Sequence, residues 1–479
     1  MKIKLEYYFL LACFLFSMPA LTLGIYYRDD YWRVVTGENF WGWAGRQGAD
    51  QLAHFFSLNR FHVDSYPFGL LIAVVTMVGV LYFIASKLSK QSNYAKLALP
   101  LLFINPFFVQ NLAYRFDAPQ MIISLALAIL AYYIVDGRLS RKIASIGLVF
   151  LSLIIYQPCV NIFLGLMAVN YCFDIKEYRS SKNKLIISEL IVFLVGYVTY
   201  LFFQKVVIGN IPRSETVGLL ELHLSSLYVL KYLYHAVSSL FVGYAFYLLS
   251  FFVFVSALCS ISFIKISFFK KILKKENLFS LCVFISIPFL FFFASTGPSF
   301  ILAEGVTDIR VLVGFSSVIF FLAVAVLKRI PGKFSFYIML LPIYCFIVFS
   351  FQFFNAIQSQ RFFEENIISD ISYDLGAYET QNEEVYMSGG VPISPIANVI
   401  ASRHPLIMRM LSPMEGWISG PALKAYGNNV VISWSDLDVD RVAEVCNGLM
   451  EKVLDKKMYE IYRRNDILIV HIKGAGDIC

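Results

Sequence analysis

Two adjacent carboxylates, Asp29 and Asp30, stand just beyond the first apolar stretch of this chain, inside the run Tyr26-Tyr-Arg-Asp-Asp-Tyr-Trp-Arg33. A general base needs a carboxylate held near a hydroxyl, and the flanking Arg28 and Arg33 favour its ionised form. Adjacent residues on a helix point about 100° apart, so only one of the two would be the base. The competing reading is a helix N-cap with acids on its first turn, and spacing alone weighs the two equally. Similar groups recur further on. Arg115 and Asp117 sit in Tyr-Arg-Phe-Asp-Ala-Pro (114–119); Glu304, Asp308 and Arg310 close the segment 295–310; Arg213 lies in Asn-Ile-Pro-Arg-Ser-Glu-Thr (210–216). A guanidinium fork matches phosphate oxygens, which makes Arg310 a candidate phosphate ligand and Arg213 a weaker one. Against that stand structural pairings: Arg115 and Asp117 with each other or a neighbouring loop, and Arg310 with Asp308 or snorkelling to an interface.

These groups must be positioned by a membrane protein. Of 479 residues, 58% are hydrophobic, 17% aromatic and 15% charged, and the mean hydropathy is +0.67. Soluble domains carry about 25% charge. The composition excludes a soluble enzyme, a disordered chain and a nucleic-acid binder. About 20 apolar residues span a bilayer, and eleven candidate spans lie near 6–25, 67–86, 95–112, 119–135, 143–157, 159–173, 184–205, 237–263, 277–295, 310–327 and 334–353. The first reads as an uncleaved anchor rather than a signal peptide, because its apolar stretch runs on through Leu23. With the N-terminus inside, 20 Lys and Arg fall on inside pieces and 9 on outside pieces of residues 1–354, as the positive-inside rule requires. The external first loop then covers 26–66, whose aromatic residues suit one or two helices lying in the interface.

That threading puts the polar, Arg-bearing loops on the outer face together with residues 355–479. This tail carries 11 Lys and Arg against 17 Asp and Glu and alternates helix-like and strand-like stretches, so 1–354 reads as a transmembrane domain and 355–479 as a soluble α/β or α+β domain. A helix is expected over 441–464. Cys446 and Cys479 are free to pair if the tail meets an oxidising compartment. The chain has no Walker A loop, GxGxxG, GxSxG or HExxH. Its six histidines show no metal-ligand spacing; no cofactor is expected, and no metal either, because an external Arg can supply the charge a leaving phosphate needs. Without a nucleotide site, an activated group must arrive another way, and a lipid-carried sugar fits.

The first-loop motif, followed by Gly37-Glu-Asn-Phe-Trp-Gly-Trp-Ala-Gly-Arg-Gln-Gly-Ala-Asp50, resembles the phage-type serotype-converting O-antigen glucosyltransferase II (GtrII-like) family, as do the length, the roughly eleven spans and the hydrophilic tail. The resemblance implies a GT-C type α-helical polytopic fold in a bacterial inner membrane. It implies an undecaprenyl-phosphate sugar donor, usually glucose, transferred to O-antigen on the periplasmic face, with donor-synthesising and flippase proteins as partners. Asp29 and Asp30 match the acidic motif that such enzymes place in their first external loop. The implied reaction has Asp30 or Asp29 deprotonating an acceptor hydroxyl, inversion at the anomeric carbon, and an external Arg holding the leaving phosphate. Arg28, Arg33, Arg115, Asp117, Arg213, Glu304, Asp308 and Arg310 are the candidate substrate-binding residues. Two other classes remain: an O-antigen polymerase or ligase, which would use a large loop between later spans, and a lipid-sugar flippase or transporter, which would carry charges near the midplane of its spans.

Overall fold

The computed structural model describes residues 5–479 except 40, 43, 89, 137, 176–181, 210–214, 219, 274–277, 304–306, 379–383, 433–438, 475 and 477, with backbone alone at 90–93, 182–183, 262–273, 278–281, 283 and 439–440. It is mostly helical, with one small sheet near the C-terminus. Among the described residues, six helices are long and apolar enough to cross a membrane: Leu5–Leu23, Phe68–Lys87, Lys184–Val207, Gly243–Ile261, Ile309–Arg329 and Lys333–Leu375. Three shorter apolar ones accompany them, Ala118–Ile134, Gln157–Phe173 and Phe284–Phe300. Leu190, Leu194, Val198, Leu201 and Phe202 on one of the long helices are all exposed. Apolar side chains turned outward in this way suit lipid, not water.

The helices depart from eleven even spans where proline intervenes. The stretch 95–112 forms a 3-10 helix, Lys90–Leu102, with Pro100 inside it, and then a five-residue helix, Val109–Ala113. Pro106 bars Asn105 from continuing a helix. The stretch 143–157 folds as Leu139–Ile155 and stops three residues short of Pro158. A separate helix, Leu222–Ser238, occupies much of the expected outer loop 206–236. The final span does not end near 354: Lys333–Leu375 runs unbroken for 43 residues into the tail.

The tail sheet has four strands, β1 Glu384–Gly390, β2 Glu451–Asp455, β3 Tyr459–Arg464 and β4 Ile467–Lys473, in the order β1-β4-β3-β2. β1 runs parallel to β4; β3 is antiparallel to both β4 and β2. Central β4 is apolar at nearly every position because both its faces are covered. Leu468, Val470 and Ile472 join one core with Val385, Ile418 and Ile371; Ile469 joins another with Val445, Met450 and Tyr462. The expected helix over 441–464 ends at Cys446. Asn447 and the left-handed Gly448 (φ +70°) turn the chain there, and the residues beyond pair as β2 and β3. Cys446 and Cys479 form a disulfide with Cα atoms 5.5 Å apart.

A buried polar knot joins tail to bundle. Arg361 and Glu364, 2% and 0% exposed, pair on the long helix. Arg361 Nη2 donates to Ser412 O (2.6 Å), Met414 N donates to Glu364 Oε1 (2.7 Å), and Gln360 Oε1 accepts from Ser394 N (2.7 Å). Each buried charge thus has a partner and hydrogen bonds, as burial demands.

Candidate functional site

Residues 26–33 make one short turn and a helix, Asp30–Thr36, and each side chain has a distinct neighbour. Gly24 (φ +58°) turns the chain out of the first helix; a Cβ there would meet the Tyr66 ring at 3.1 Å. Tyr27 is fully buried and donates its hydroxyl to Met410 O of the tail. Tyr31 joins the tail core, and Trp32 Nε1 donates to Trp417 O (3.0 Å). One face of the motif therefore clamps the tail. The other face carries the charges, because Asp29 and Arg33 lie four residues apart.

Arg33 is the hub. Its Nη2 lies 2.6 Å from Asp29 Oδ2, and its Nη1 lies 3.1 Å from Asp30 Oδ1 and 2.6 Å from Asp117 Oδ2. The guanidinium stacks over Trp41 at 4.9 Å. Arg46 approaches Asp117 (4.0 Å), stacks over Tyr156 (4.8 Å) and donates Nε to Gln157 Oε1 (3.3 Å). Arg115 pairs with Asp64 (2.7 Å), not with Asp117, and lies between the rings of Tyr26 and Tyr66 at 4.6 and 4.4 Å.

The two adjacent acids have different environments. Asp30 is fully buried. Its carboxylate accepts from the backbone N–H groups of Tyr27 (3.0 Å), Arg115 (2.8 Å) and Phe116 (3.4 Å), and from Arg33. Burial pushes its pKa up to about 7, against the pull of Arg33. Asp29 occupies the N-cap position but makes no side-chain cap hydrogen bond. Its side chain is 27% exposed. Burial works against its charge, but Arg33, Arg310 and Arg28 together hold it below the usual carboxylate range. Asp29 is thus an ionised carboxylate within reach of solvent, whereas Asp30 is a buried tie between the first loop and the 114–119 turn.

Beside Asp29 lies a second cluster. Arg28 donates to Asp308 Oδ2 (2.8 Å) and faces the Tyr114 hydroxyl (3.3 Å). Arg28 itself is left-handed (φ +50°), a conformation that costs a non-glycine residue about 1–2 kcal/mol and that its two contacts hold in place. Arg310 Nε is 3.3 Å from Asp308 and its guanidinium stacks over Tyr114 at 4.9 Å. Its backbone is pinned by Gln110 Oε1, which accepts from Arg310 N (2.8 Å), and by Asn111 Nδ2, which donates to Arg310 O (3.0 Å). Arg28 and Arg310 hold the Asp308 carboxyl below its ordinary pKa despite burial. An open cleft of about 430 Å³ adjoins this cluster, lined by Arg28, Tyr232, Thr307, Asp308, Ile309 and Arg409. Arg409 is exposed and has no carboxylate partner among the described residues. A largely apolar groove of about 660 Å³ lies between Leu240–Leu249 and Tyr344–Phe349, with Arg403 and His404 also lining it.

The structure therefore brings together Arg28, Asp29, Asp30, Arg33, Arg115, Asp117, Asp308 and Arg310 from three separate segments. Arg213 and Glu304 lie outside the described residues. Sequence reasoning did not single out Arg46, Asp64, Tyr114 or Arg409. The first three sit in segments already marked as polar and aromatic. Arg409 lies in an ordinary short helix, Pro405–Met410, and nothing in its local sequence sets it apart. Asp50, His54 and His62 also converge, from positions whose spacing did not suggest it.

A family model described as glucosyl transferase GtrII matches residues 18–326, a stretch that includes every charged residue of the site except Arg409. A protein of Salmonella phage P22, known as an uncharacterized 55.3 kDa protein in the gtrB 5′ region, is 27% identical over 428 residues, 85% of each chain. No solved structure matches.

Proposed function

The chain belongs to the glucosyl transferase GtrII family, and from that premise we propose that it moves a sugar, glucose in the first instance, from an undecaprenyl-phosphate carrier to O-antigen on the periplasmic face of a bacterial inner membrane. Asp29, rather than its buried neighbour, is the base in this reading. It takes the proton of the acceptor hydroxyl as that oxygen attacks the anomeric carbon. The bond from that carbon to the phosphate oxygen breaks, configuration inverts, and the lipid phosphate leaves with the electron pair. Arg28 and Arg409 in the cleft, with Arg310 behind them, receive its charge. The apolar groove is the right kind of surface for the carrier's hydrocarbon chain.

The observation that carries this reading is a partly exposed, ionised Asp29 directly following Arg28, which lines the arginine-bearing cleft. A base and a phosphate site must lie close together, and here the candidate base directly follows a residue that lines the cleft. The reading keeps the expected topology, N-terminus cytoplasmic and residues 355–479 a periplasmic domain on a GT-C type transmembrane domain 1–354; the Cys446–Cys479 disulfide supports its periplasmic tail, because such bonds persist in oxidising compartments. The test is transfer by the purified protein from polyprenyl-phosphate glucose and, separately, from UDP-glucose to isolated O-antigen. Transfer from the lipid donor alone supports the reading; transfer from the nucleotide sugar, or from neither, overturns it.

A further inference from the structure

Asp50, His54 and His62 form a cluster apart from the arginine network. Asp50 and His54 are four residues apart on the helix Gln47–Ser57, so both project from one face. His62 comes from the loop beyond that helix, where its backbone N–H donates to Gly37 O (3.2 Å). Asp50 Oδ1 is 3.4 Å from His54 Nε2 and 3.3 Å from His62 Nε2, and one ligand atom from each residue lies within 4.8 Å of the others. Charge-assisted N–H···O contacts are shorter, about 2.7–2.9 Å. Ligands on a tetrahedral zinc ion, with bonds of about 2.0–2.1 Å, stand about 3.3–3.4 Å apart.

The outer partner of His54 agrees with ligation. His54 Nδ1 lies 3.0 Å from Asn59 O. A carbonyl only accepts, so Nδ1 carries a proton, and in the neutral ring Nε2 then presents its lone pair toward Asp50 and His62; ligating histidines are oriented in this way. The group facing the converging lone pairs is the Asn39 amide nitrogen, which is 2.6 Å from Asp50 Oδ1 and also against His62 Nε2. That amide is a donor standing where acceptors converge.

We propose that Asp50, His54 and His62 bind a divalent transition metal, with zinc as its best representative. Asn39 turns aside on loading and water completes the tetrahedron. Two imidazoles and one carboxylate suit zinc and disfavour magnesium, which demands octahedral oxygen. The metal closes the first loop on itself. It also stiffens the support of Arg33, because His62 packs edge-on against Trp41 (5.2 Å) and Arg33 stacks on that same ring. The site is independent of the glucosyl-transfer reading.

The test uses the full chain purified without a polyhistidine tag, stripped with EDTA and desalted. Zinc chloride is added, and bound zinc and apparent melting temperature are measured. The expected result is one tightly held zinc per chain and a higher melting temperature, with no shift from magnesium. His54→Ala, at a partly exposed position that should leave the fold intact, lowers zinc affinity more than about 100-fold, since loss of even a ligand's supporting partner costs about 10–100-fold. Asp50→Asn does the same. If the wild type holds no zinc, if His54→Ala holds as much as wild type, or if magnesium shifts the melting temperature equally, the three residues are a hydrogen-bonded staple and the proposal is wrong.

Discussion

Replacing Asp30 separates a structural acid from a chemical one. Its carboxylate accepts from three backbone N–H groups and from Arg33, with no exposure to solvent. Asp30→Ala strands at least the Tyr27 and Arg115 donors in a buried place. At about 1–3 kcal/mol for each unsatisfied donor, the loss is about 2–6 kcal/mol. Asp30→Asn keeps one oxygen for those donors but turns an NH2 group toward Arg33, and about 1–3 kcal/mol is lost. The Ala variant is therefore the less stable of the two, and both lose activity in proportion to lost folded protein. The pH dependence has a definite sign. The folded pKa of about 7 lies above the ordinary aspartate value near 3.8, so folding holds this proton, and the benefit declines as pH rises from about 4 and is gone once pH passes about 7. Between pH 6 and pH 8 this group removes about 1 kcal/mol of stability from the wild type, and Asp30→Asn flattens that slope. The assay is apparent melting temperature of purified protein against pH, with transfer measured on the folded fraction. Wild-type melting behaviour in Asp30→Asn with transfer abolished would refute the reasoning and make Asp30 the reacting group.

Other outcomes follow from the same contacts. Glu364→Ala leaves Arg361 charged and unpaired in a buried place and should cost about 3–5 kcal/mol, seen as a lower melting temperature and as earlier proteolysis between the bundle and residues 384–473. Cys446→Ala opens a link of sequence separation 33; on a chain-entropy account the loss is about 3–4 kcal/mol, confined to the tail and measurable by hydrogen exchange of β4. Arg409→Ala, at an exposed position, should raise the KM for the lipid donor about tenfold or more, as loss of one charged contact to phosphate predicts, without moving the melting temperature.

The membrane-bound, helical character was legible because it rests on composition and run length, which tertiary packing does not alter. The count of spans was less so. Pro100 and Pro106 break a run that hydropathy reads as continuous, and Lys333–Leu375 carries its helix past the apolar boundary because Gln360, Arg361 and Glu364 find buried partners in the tail. The helix expected over 441–464 failed for a local reason, the Asn447-Gly448 turn. At the candidate site, sequence pointed to the motif and to the polar loops but could not tell the surroundings of Asp29 from those of Asp30. That difference depends on which carboxylate meets the 114–119 backbone, a long-range contact. Arg409 and the approach of His62 to Asp50 depend likewise on loops folding back, and no spacing rule anticipates them.

The most direct measurement is the rate of sugar transfer by Asp29→Asn at matched folded protein, with polyprenyl-phosphate glucose as donor. A general base contributes about 10²–10⁴-fold, so kcat measured on the folded fraction falls by at least that order, while loss of the charged Asp29–Arg33 pair lowers the melting temperature only modestly. A variant that transfers at the wild-type rate would contradict this role for Asp29, and the carboxylate that drives the reaction would have to be sought elsewhere.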